Sequence, residues 1–403
     1  MADRRFPFAR LLTAAAVAAV LAWAVLPTLA QRKENDEGPK LKAPHAILIE
    51  AKSGSILYER DADTLIPPAS LAKLMTAEYV FHLLKIGKIL LTDKYTVSEH
   101  AWRTGGAPSH TSTMFAAIHS KVPVDDLIHG MIIQSANDAC IVLAEAIAGN
   151  ERAFATELTR RAREIGLEKS TFANSNGLPN PNERVTTREL AKLARHIILT
   201  YPEYYPIFAQ PSFTWNKIFQ KNRNPLLGSV EGADGLKTGY TKNAGYGLVG
   251  SAVQNGLRLI VVVNGEKTAK ERAYEGKKLL QWGFNNFEQR TLFADNQTIG
   301  SAKVYGGADG YVPLKADGAV KVMVPKNGDR RLVARIVYTG PVPAPVKKGQ
   351  PVGNLKVWRG DNVVLQTPLH AAGSVDVGSL PGRAFDAVTE LVIALFRAGA
   401  QRL

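Results

Sequence analysis

Ser70 and Lys73 are the first two residues of the chain whose types and spacing suit catalysis. Pro67 and Pro68 precede them and favour the start of a helix. Residues i and i+3 share one face of a helix, so Lys73 is expected one turn above Ser70. A serine hydroxyl becomes nucleophilic beside a base, and a lysine among apolar residues can lose its proton and serve as that base. Alone the motif is weak, because chance supplies about one Ser-x-x-Lys in a chain of this length.

A second polar group, Ser135-Ala136-Asn137, stands immediately before a predicted helix. Its hydroxyl can relay a proton and its amide can hold a substrate amide. A turn in which Ser135 and Asn137 cap the following helix explains the same residues. From this motif alone, capping is the better interpretation.

A third group, Lys237-Thr238-Gly239, is predicted on an edge strand. It offers a cation, a hydroxyl and a glycine at which a substrate can approach the backbone. Taken singly, such a tripeptide is usually no more than the end of a strand. The same three motifs in this order are typical of penicillin-binding proteins and β-lactamases.

With all three motifs in place, the chain resembles the low-molecular-mass penicillin-binding proteins that act as serine-type D-alanyl-D-alanine carboxypeptidases, typified by penicillin-binding protein 5. The resemblance extends from about Ala46 through Phe284 and more loosely to the C-terminus. Four segments carry it: 68–76 (PASLAKLMT), 134–140 (QSANDAC), 234–241 (DGLKTGYT) and 277–284 (KKLLQWGF).

This resemblance implies catalytic roles. Ser70 attacks the carbonyl of the penultimate D-Ala, and Lys73 takes its proton. The backbone N–H groups of Ser70 and Tyr240 form the oxyanion hole, and Ser135 passes a proton to the leaving D-Ala.

The same resemblance implies substrate-binding roles at the third motif and beyond it. Asn137 positions the substrate amide, while Lys237, Thr238 and Gly239 line the place of the terminal carboxylate. Arg272 matches a family arginine that helps to bind this carboxylate, although a solvated helix residue explains it equally well. Two departures from the family are Ala136, where glycine is commoner, and Tyr240, where the typified member has histidine.

Other functions stay open. A class A β-lactamase needs a deacylating glutamate between the second and third motifs, and residues 172–179 (FANSNGLP) lack a Glu-x-x-x-Asn. A transpeptidase or endopeptidase uses the same machinery with another acceptor. A catalytically idle wall-binding module is the least favoured alternative, because Ser70, Lys73 and Lys237 are all present.

The elements that must position these residues follow from hydrophobic periodicity. Strands come first, long helices fill the middle and strands return, which predicts the α/β (α+β) fold of a penicillin-binding/β-lactamase-like transpeptidase domain over residues 44–286. A small all-β domain is predicted over 287–379, because short apolar runs there alternate with turn residues. The predicted strands are Ala46–Glu50, Ser55–Tyr58, Tyr246–Ala252, Leu257–Asn264, Val320–Val324, Leu332–Tyr338, Gln350–Val357 and Asn362–Gln366, and the predicted helices are Leu71–Ile86, Val124–Ala148, Glu151–Ile165 and Lys270–Phe284.

The N-terminus has the order of a secretory signal peptide over residues 1–30. Three arginines precede the apolar run Leu11–Leu26, and Thr28-Leu29-Ala30 is a small-residue cleavage site. An uncleaved transmembrane anchor is the alternative, but about 16 apolar residues fall short of the roughly 20 that span a bilayer. Residues 31–43 are polar and are expected to form a flexible tether.

The C-terminus, residues 380–403, is predicted to form an amphipathic helix that anchors the protein on a membrane surface. Its charged residues gather opposite an apolar face, and a helix packed on its own protein is the alternative. Together with the signal peptide, this helix predicts an exported protein held peripherally on the periplasmic side of a bacterial inner membrane. The apolar face comprises Phe385, Val388, Leu391, Val392, Leu395, Phe396 and Leu403.

Composition sets the remaining limits. The chain has 403 residues, a formal net charge of +14, 45% hydrophobic and 21% charged residues, which is ordinary for a globular protein. The basic residues are scattered and no nucleic-acid-binding motif accompanies them, so no nucleic-acid partner is expected. Cys140 lies in an apolar run and is predicted to be a buried free thiol. The eight histidines show no ligand spacing, and neither a metal nor a cofactor is predicted. The expected partners are a peptidoglycan stem peptide and covalently bound β-lactams.

Overall fold

The structure is a computed structural model that describes residues 38–327, 331–360, 362–384 and 386–388. The described residues from Pro39 onward belong to one compact unit. The predicted signal peptide and most of the predicted membrane helix lie outside the described residues, although 380–384 and 386–388 are helical. Within the described part of the chain, no helix is both long and apolar enough to cross a membrane.

A five-stranded antiparallel sheet joins segments from both ends of the first domain. Its strand order is β2-β1-β9-β8-β7, which leaves β7 at an edge. Side chains of β9 alternate between two hydrophobic clusters, because successive residues of a strand point to opposite faces. The sheet is therefore buried on both sides. Its strands are β1 His45–Glu50, β2 Ile56–Arg60, β7 Ala233–Thr241, β8 Gly245–Gln254 and β9 Leu257–Glu266.

Helices fill most of the chain between β2 and β7, as predicted, and two pairs of short antiparallel strands lie among them. The helix over Thr187–Thr200 was not predicted, although Thr186 and Glu189 give the capping signature: the Thr186 hydroxyl accepts a hydrogen bond from the Glu189 N–H. The helices are α1 Lys73–Lys85, α2 Glu99–Thr104, α3 Val124–His129, α4 Asn137–Ala148, α5 Glu151–Glu164 and α6 Thr187–Thr200, and the short paired strands are β3 Lys94–Thr96, β4 Lys121–Pro123, β5 Ser212–Trp215 and β6 Ile218–Lys221.

The prediction of one continuous helix over Val124–Ala148 is wrong. The chain passes from α3 through a π-helical turn at Gly130–Gln134 and stops at Ser135, whose φ of 65° is left-handed and cannot continue a right-handed helix. The backbone amide of Asn137 then donates to the Ser112 carbonyl oxygen at 2.7 Å. The break between α3 and α4 places Ser135 outside a regular helix and Asn137 at the first position of α4.

The opposite face of the sheet is covered by α7, Ala269–Asn286. Leu279 and Leu280 of α7 pack with Leu48 and Leu259 of the sheet in one buried cluster. The residues expected to end the tether also pack here: Leu41 and Ala43 are buried. The Lys42 amide donates to Glu275 of α7 at 2.8 Å, so the ordered packing begins before residue 43.

A β-rich domain follows α7 directly, which confirms the predicted fold class. Strands β10 and β13 pair with each other, and the other strands form a sheet of order β14-β16-β17-β12-β11-β15. A third hydrophobic cluster, which includes Val312, Val322 and Leu369, fills the interior of this domain. The strands are β10 Phe287–Phe293, β11 Gly300–Tyr305, β12 Tyr311–Lys315, β13 Val320–Pro325, β14 Val333–Tyr338, β15 Val342–Pro343, β16 Pro351–Arg359 and β17 Asn362–Ala371.

Candidate active site

Ser70 lies in a 3-10 turn, Ala69–Ala72, that leads directly into α1. Lys73, the first residue of α1, is 1% exposed, and its Nζ donates to Ser70 Oγ at 3.0 Å and to the carbonyl oxygen of Asn176 at 2.5 Å. The one-turn spacing predicted from the sequence therefore brings the lysine nitrogen within hydrogen-bond reach of the hydroxyl. This is the geometry of a nucleophile beside its base.

The electrostatic surroundings of Lys73 suit a base. The pKa of its ammonium is lowered to about 8, chiefly by burial and to a smaller extent by nearby Arg223, while Cys140, Glu183 and Asp138 act in the opposite direction. A lysine with an unperturbed pKa is almost fully protonated at neutral pH, whereas this one has a substantial neutral fraction in mildly alkaline solution.

Asn137 is the first residue of α4 and does not cap it. The N-cap position is Ala136, and no side chain caps the helix there, so the capping interpretation of Ser135 and Asn137 is wrong. Asn137 Nδ2 donates to Thr111 Oγ1 at 2.9 Å, which fixes the amide orientation. Its Oδ1 is buried and has no hydrogen-bond partner in the described part of the chain. Ser135, at 2% exposure, precedes it on the left-handed turn.

The third motif lies on β7, the edge strand on which it was predicted. Lys237 is 3% exposed and its Nζ donates to the Thr238 carbonyl oxygen at 3.1 Å. A Cβ on Gly239 would lie 3.1 Å from Leu71 Cγ and 3.2 Å from the Pro68 oxygen. Glycine at this position thus lets β7 lie against the turn that carries Ser70. The sequence had suggested another reason for the glycine, the approach of a substrate to the backbone.

Four cations converge near this edge. Burial and the positive charges of Lys73, Arg223 and Arg272 hold the pKa of Lys237 well below its usual range. Among the described residues, no carboxylate lies within ion-pair distance of Lys73, Lys237, Arg223 or Arg272, and the ion pairs found there involve other cations. A cluster of cations without internal counter-ions is suited to receive an anionic ligand.

Arg272 belongs to this cluster and is not a freely solvated helix residue. Its Nε is fully buried without a hydrogen-bond partner in the described structure. Its Cζ lies 5.6 Å from the centroid of the Tyr246 ring. Tyr240 is 53% exposed and stacks on the same Tyr246 ring, with centroids 4.0 Å apart.

Sequence reasoning missed the loop that closes the site beside Lys73. Gly177 in this loop has a φ of +80°, and a Cβ there would lie 1.9 Å from the Ala69 carbonyl oxygen. Asn174 Oδ1 accepts from the N–H groups of Asn176 and Gly177 at 3.1 and 2.6 Å, which holds the turn. The sequence FANSNGLP signals a turn but not its place against Ser70.

Glu183 and Arg223 were also missed. Glu183 is 2% exposed, its Oε2 accepts from Asn174 Nδ2 at 3.3 Å, and its Oε1 has no partner in the described structure. Burial raises the pKa of this carboxyl to about 8. Arg223 donates to Ser112 Oγ at 2.6 Å. Neither residue belongs to a motif, so no sequence signal identifies it.

Cys140 is buried beneath the site, as predicted. Burial raises the pKa of its thiol to about 12, and its Sγ lies 3.2 Å from the Ala136 carbonyl oxygen. Such a thiol is protonated at neutral pH and is a packing group. In the described ranges, no group of histidine, cysteine or acidic residues is arranged to hold a metal ion.

Comparison with known proteins gives consistent results over nearly the whole chain. Residues 31–268 match the family described as D-alanyl-D-alanine carboxypeptidase, and residues 287–377 match the family described as penicillin-binding protein 5, C-terminal domain. D-alanyl-D-alanine carboxypeptidase DacC of Escherichia coli is 40% identical over 94% of this chain and 96% of its own length.

Solved structures show the same relationship. Penicillin-binding protein 5 of Haemophilus influenzae has a TM-score of 0.74 and 37% identity, covering 84% of this chain and 98% of its own. Penicillin-binding protein D2 of Listeria monocytogenes, in an ampicillin-bound form, has a TM-score of 0.53 and 32% identity, covering 61% of this chain and 98% of its own. The chain therefore belongs to the D-alanyl-D-alanine carboxypeptidase family of the penicillin-binding protein 5 type.

Proposed function

We propose that this serine-type carboxypeptidase removes the terminal D-Ala of peptidoglycan stem pentapeptides through an acyl-enzyme on Ser70. The observation that carries the proposal is the 3.0 Å contact between Lys73 Nζ and Ser70 Oγ beside the edge strand that carries Lys237. Neutral Lys73 takes the hydroxyl proton as Ser70 attacks the carbonyl carbon of the penultimate residue. Ser135 returns a proton to the nitrogen of the leaving D-Ala.

The substrate is placed along β7. The terminal carboxylate lies among Lys237, Thr238 and Arg272, because no carboxylate of the described residues pairs with either cation. The free Oδ1 of Asn137 accepts an N–H of the peptide. The N–H groups of Ser70 and Tyr240 receive the negative charge that develops on the carbonyl oxygen, and Gly239 keeps β7 close enough to Ser70 for both to act.

β-Lactams are proposed to acylate the same serine as substrate mimics and to leave it slowly. The absence of a Glu-x-x-x-Asn in residues 172–179 separates this chain from class A β-lactamases. A chromogenic cephalosporin should therefore give one burst of hydrolysis near the enzyme concentration. Rapid multiple turnover would favour a β-lactamase instead.

The protein is proposed to act outside the cytoplasm, held at the periplasmic face of the inner membrane. The signal-like order of residues 1–30 and the amphipathic pattern of residues 380–403 support this location. Both segments suit an enzyme whose substrate is a wall polymer.

Mass analysis of a synthetic stem pentapeptide after incubation with the purified protein tests the activity. Loss of a single D-Ala, abolished in Ser70→Ala, is the expected result. Formation of a cross-linked dimer in the presence of an acceptor peptide would indicate a transpeptidase. Cleavage of only the cross-link between two stem peptides would indicate an endopeptidase. No product from any of the three would indicate the idle wall-binding module.

A further inference from the structure

Among the described residues, the guanidinium of Arg272 has none of the hydrogen bonds or ion pairs that usually orient an arginine. Its Nε is buried without a partner, and no carboxylate of the described residues forms an ion pair with it. Burial lowers its pKa, and Tyr246 counteracts this effect. The Tyr246 ring, 5.6 Å from Cζ, is the contact that the structure provides for its charge.

Tyr246 stands where it can act on the carboxylate site. It is the direct cross-strand partner of Tyr240, and Leu248 is the partner of Thr238. Residues two apart on a strand point to the same face, so Thr238, Tyr240 and Tyr246 share one face of the sheet. Arg272 reaches this face from the first turn of α7.

Tyr240 completes the arrangement. Its ring stacks on Tyr246 with centroids 4.0 Å apart and planes 25° apart, and its own outer side is exposed. By covering Tyr246, it keeps water from part of the ring surface. A cation is attracted more strongly to an aromatic face when water is excluded.

We propose that Tyr246, covered by Tyr240, is a positioning residue that holds the Arg272 guanidinium in place for the carboxylate of the leaving D-Ala. The inference rests on the proposed function, in which Arg272 binds that carboxylate. Tyr246 does not touch the substrate and acts through Arg272. It thereby favours leaving groups that carry a negative charge.

Two peptidyl-D-Ala thioesters test the proposal. They differ only in the leaving group: thioglycolate carries a carboxylate and ethanethiol does not, and a thioester is reactive enough to acylate Ser70 in either case. Tyr246→Leu should lower kcat/KM about tenfold for the thioglycolate ester, mainly through KM, and leave the ethanethiol ester unchanged. Tyr246→Phe keeps the ring and should retain the wild-type preference.

Epistasis then separates positioning from packing. The double variant Tyr246→Leu/Arg272→Ala should be no worse on the thioglycolate ester than Arg272→Ala alone. Additive losses, an equal loss on both esters, or a loss in Tyr246→Phe would each overturn the proposal. If Tyr246→Leu fails to fold, Tyr240→Ala at the exposed side chain provides the test through the ratio of kcat/KM for the thioglycolate ester to that for the ethanethiol ester, in which a smaller loss is expected. If this loss is absent, the stacking of Tyr240 on Tyr246 has no role in positioning Arg272.

The failure of the inference is distinguishable from that of the proposed function. If Arg272→Ala does not discriminate between the two esters, Arg272 does not bind the carboxylate and the positioning inference fails, whereas the proposed carboxypeptidase activity is decided separately by the loss of D-Ala from the pentapeptide. If Arg272→Ala discriminates and Tyr246→Leu does not, Arg272 keeps its role and the positioning inference alone is wrong.

Discussion

At the scale of single residues, the site depends on one lysine whose charge is destabilised by its surroundings. Lys73 is buried with Glu183 and Asp138 as acidic neighbours, with Arg223 and Lys237 as basic ones, and with the protonated thiol of Cys140. The position of its proton is therefore set by a balance of burial and charge. Changes at these residues should appear in the pH dependence of acylation.

Replacing Lys73 by arginine should abolish most of the activity. A guanidinium stays protonated and cannot take the Ser70 proton, so acylation by a labelled penicillin should fall by about 100-fold or more. Lys85→Arg, at the other end of the same helix, is the matched control and should acylate normally. Acylation of Lys73→Arg at a near wild-type rate would show that another group activates Ser70.

The pH profile of acylation should rise through the titration of Lys73, because the neutral amine is the reactive form. With a pKa lowered to about 8, the rate should be low at pH 6 and reach its plateau above about pH 9. The carboxylate form of Glu183 favours the protonated lysine, so Glu183→Gln should move the rising limb to lower pH.

Stopped-flow acylation across this pH range measures the effect of Glu183. The control is Glu189→Gln, a buried glutamate that accepts from the Ser170 amide at 2.7 Å and is not among the groups that shift Lys73. A Glu183→Gln profile that superimposes on the wild-type profile would rule out this influence on the base.

At the scale of elements, three segments must meet at Ser70: the 3-10 turn before α1, the loop after Asn174, and the edge strand β7. Glycines permit two of these contacts, because Gly177 and Gly239 each lie where a side chain would meet backbone or Leu71. The loop at Gly177 also gives Lys73 its carbonyl acceptor through Asn176.

Gly177→Ala should therefore disable the site. Its Cβ would collide with the Ala69 oxygen and displace either the nucleophile or the loop, so acylation should fall at least tenfold. Gly166→Ala is the control, because Gly166 has a nearly identical φ of +81° but nothing within 4 Å of the added atom. It should lower the melting temperature slightly, at a cost of about 1 kcal/mol, and leave acylation unchanged. Equal acylation losses in both variants would attribute the effect to backbone strain.

At the scale of the whole molecule, the catalytic and β-rich domains share a packed junction. Phe287 follows α7 directly, lies 5.2 Å from the Trp282 ring, and is buried in the same cluster as Met323 of β13. Asp386, near the end of the described chain, accepts from the Gly306 amide of the β-rich domain at 2.8 Å. Asp386 therefore packs with the β-rich domain.

A chain that ends at Val388 should remain folded and active on small peptides but should not bind membranes. It keeps the Asp386 contact and loses most of the apolar residues of the predicted anchor. The full mature chain should sediment with lipid vesicles and stay bound in high salt, because apolar burial is not screened. Equal partitioning of the two chains, measured by vesicle sedimentation, would show that the last residues do not anchor the protein.

Local patterns in the sequence were sufficient to identify the three motifs and to predict the strand-helix-strand order, the β-rich second domain and the burial of Cys140. Each of these depends on residues close together in the chain: Ser70 and Lys73 are one helical turn apart, and alternation of apolar residues reports on one strand. The motifs in their order also supported the family, which the comparisons then showed.

Contacts between distant segments were decided by the tertiary structure alone. The break at Ser135 depends on loops from other parts of the chain, and neither Glu183 nor Arg223 lies near Lys73 in sequence. The stacking of Tyr246 between Tyr240 and Arg272 depends on the register of β7 against β8 and on where α7 begins. Register, loop closure and burial are properties of the packed molecule, and they set the pKa values and orientations on which the chemistry depends.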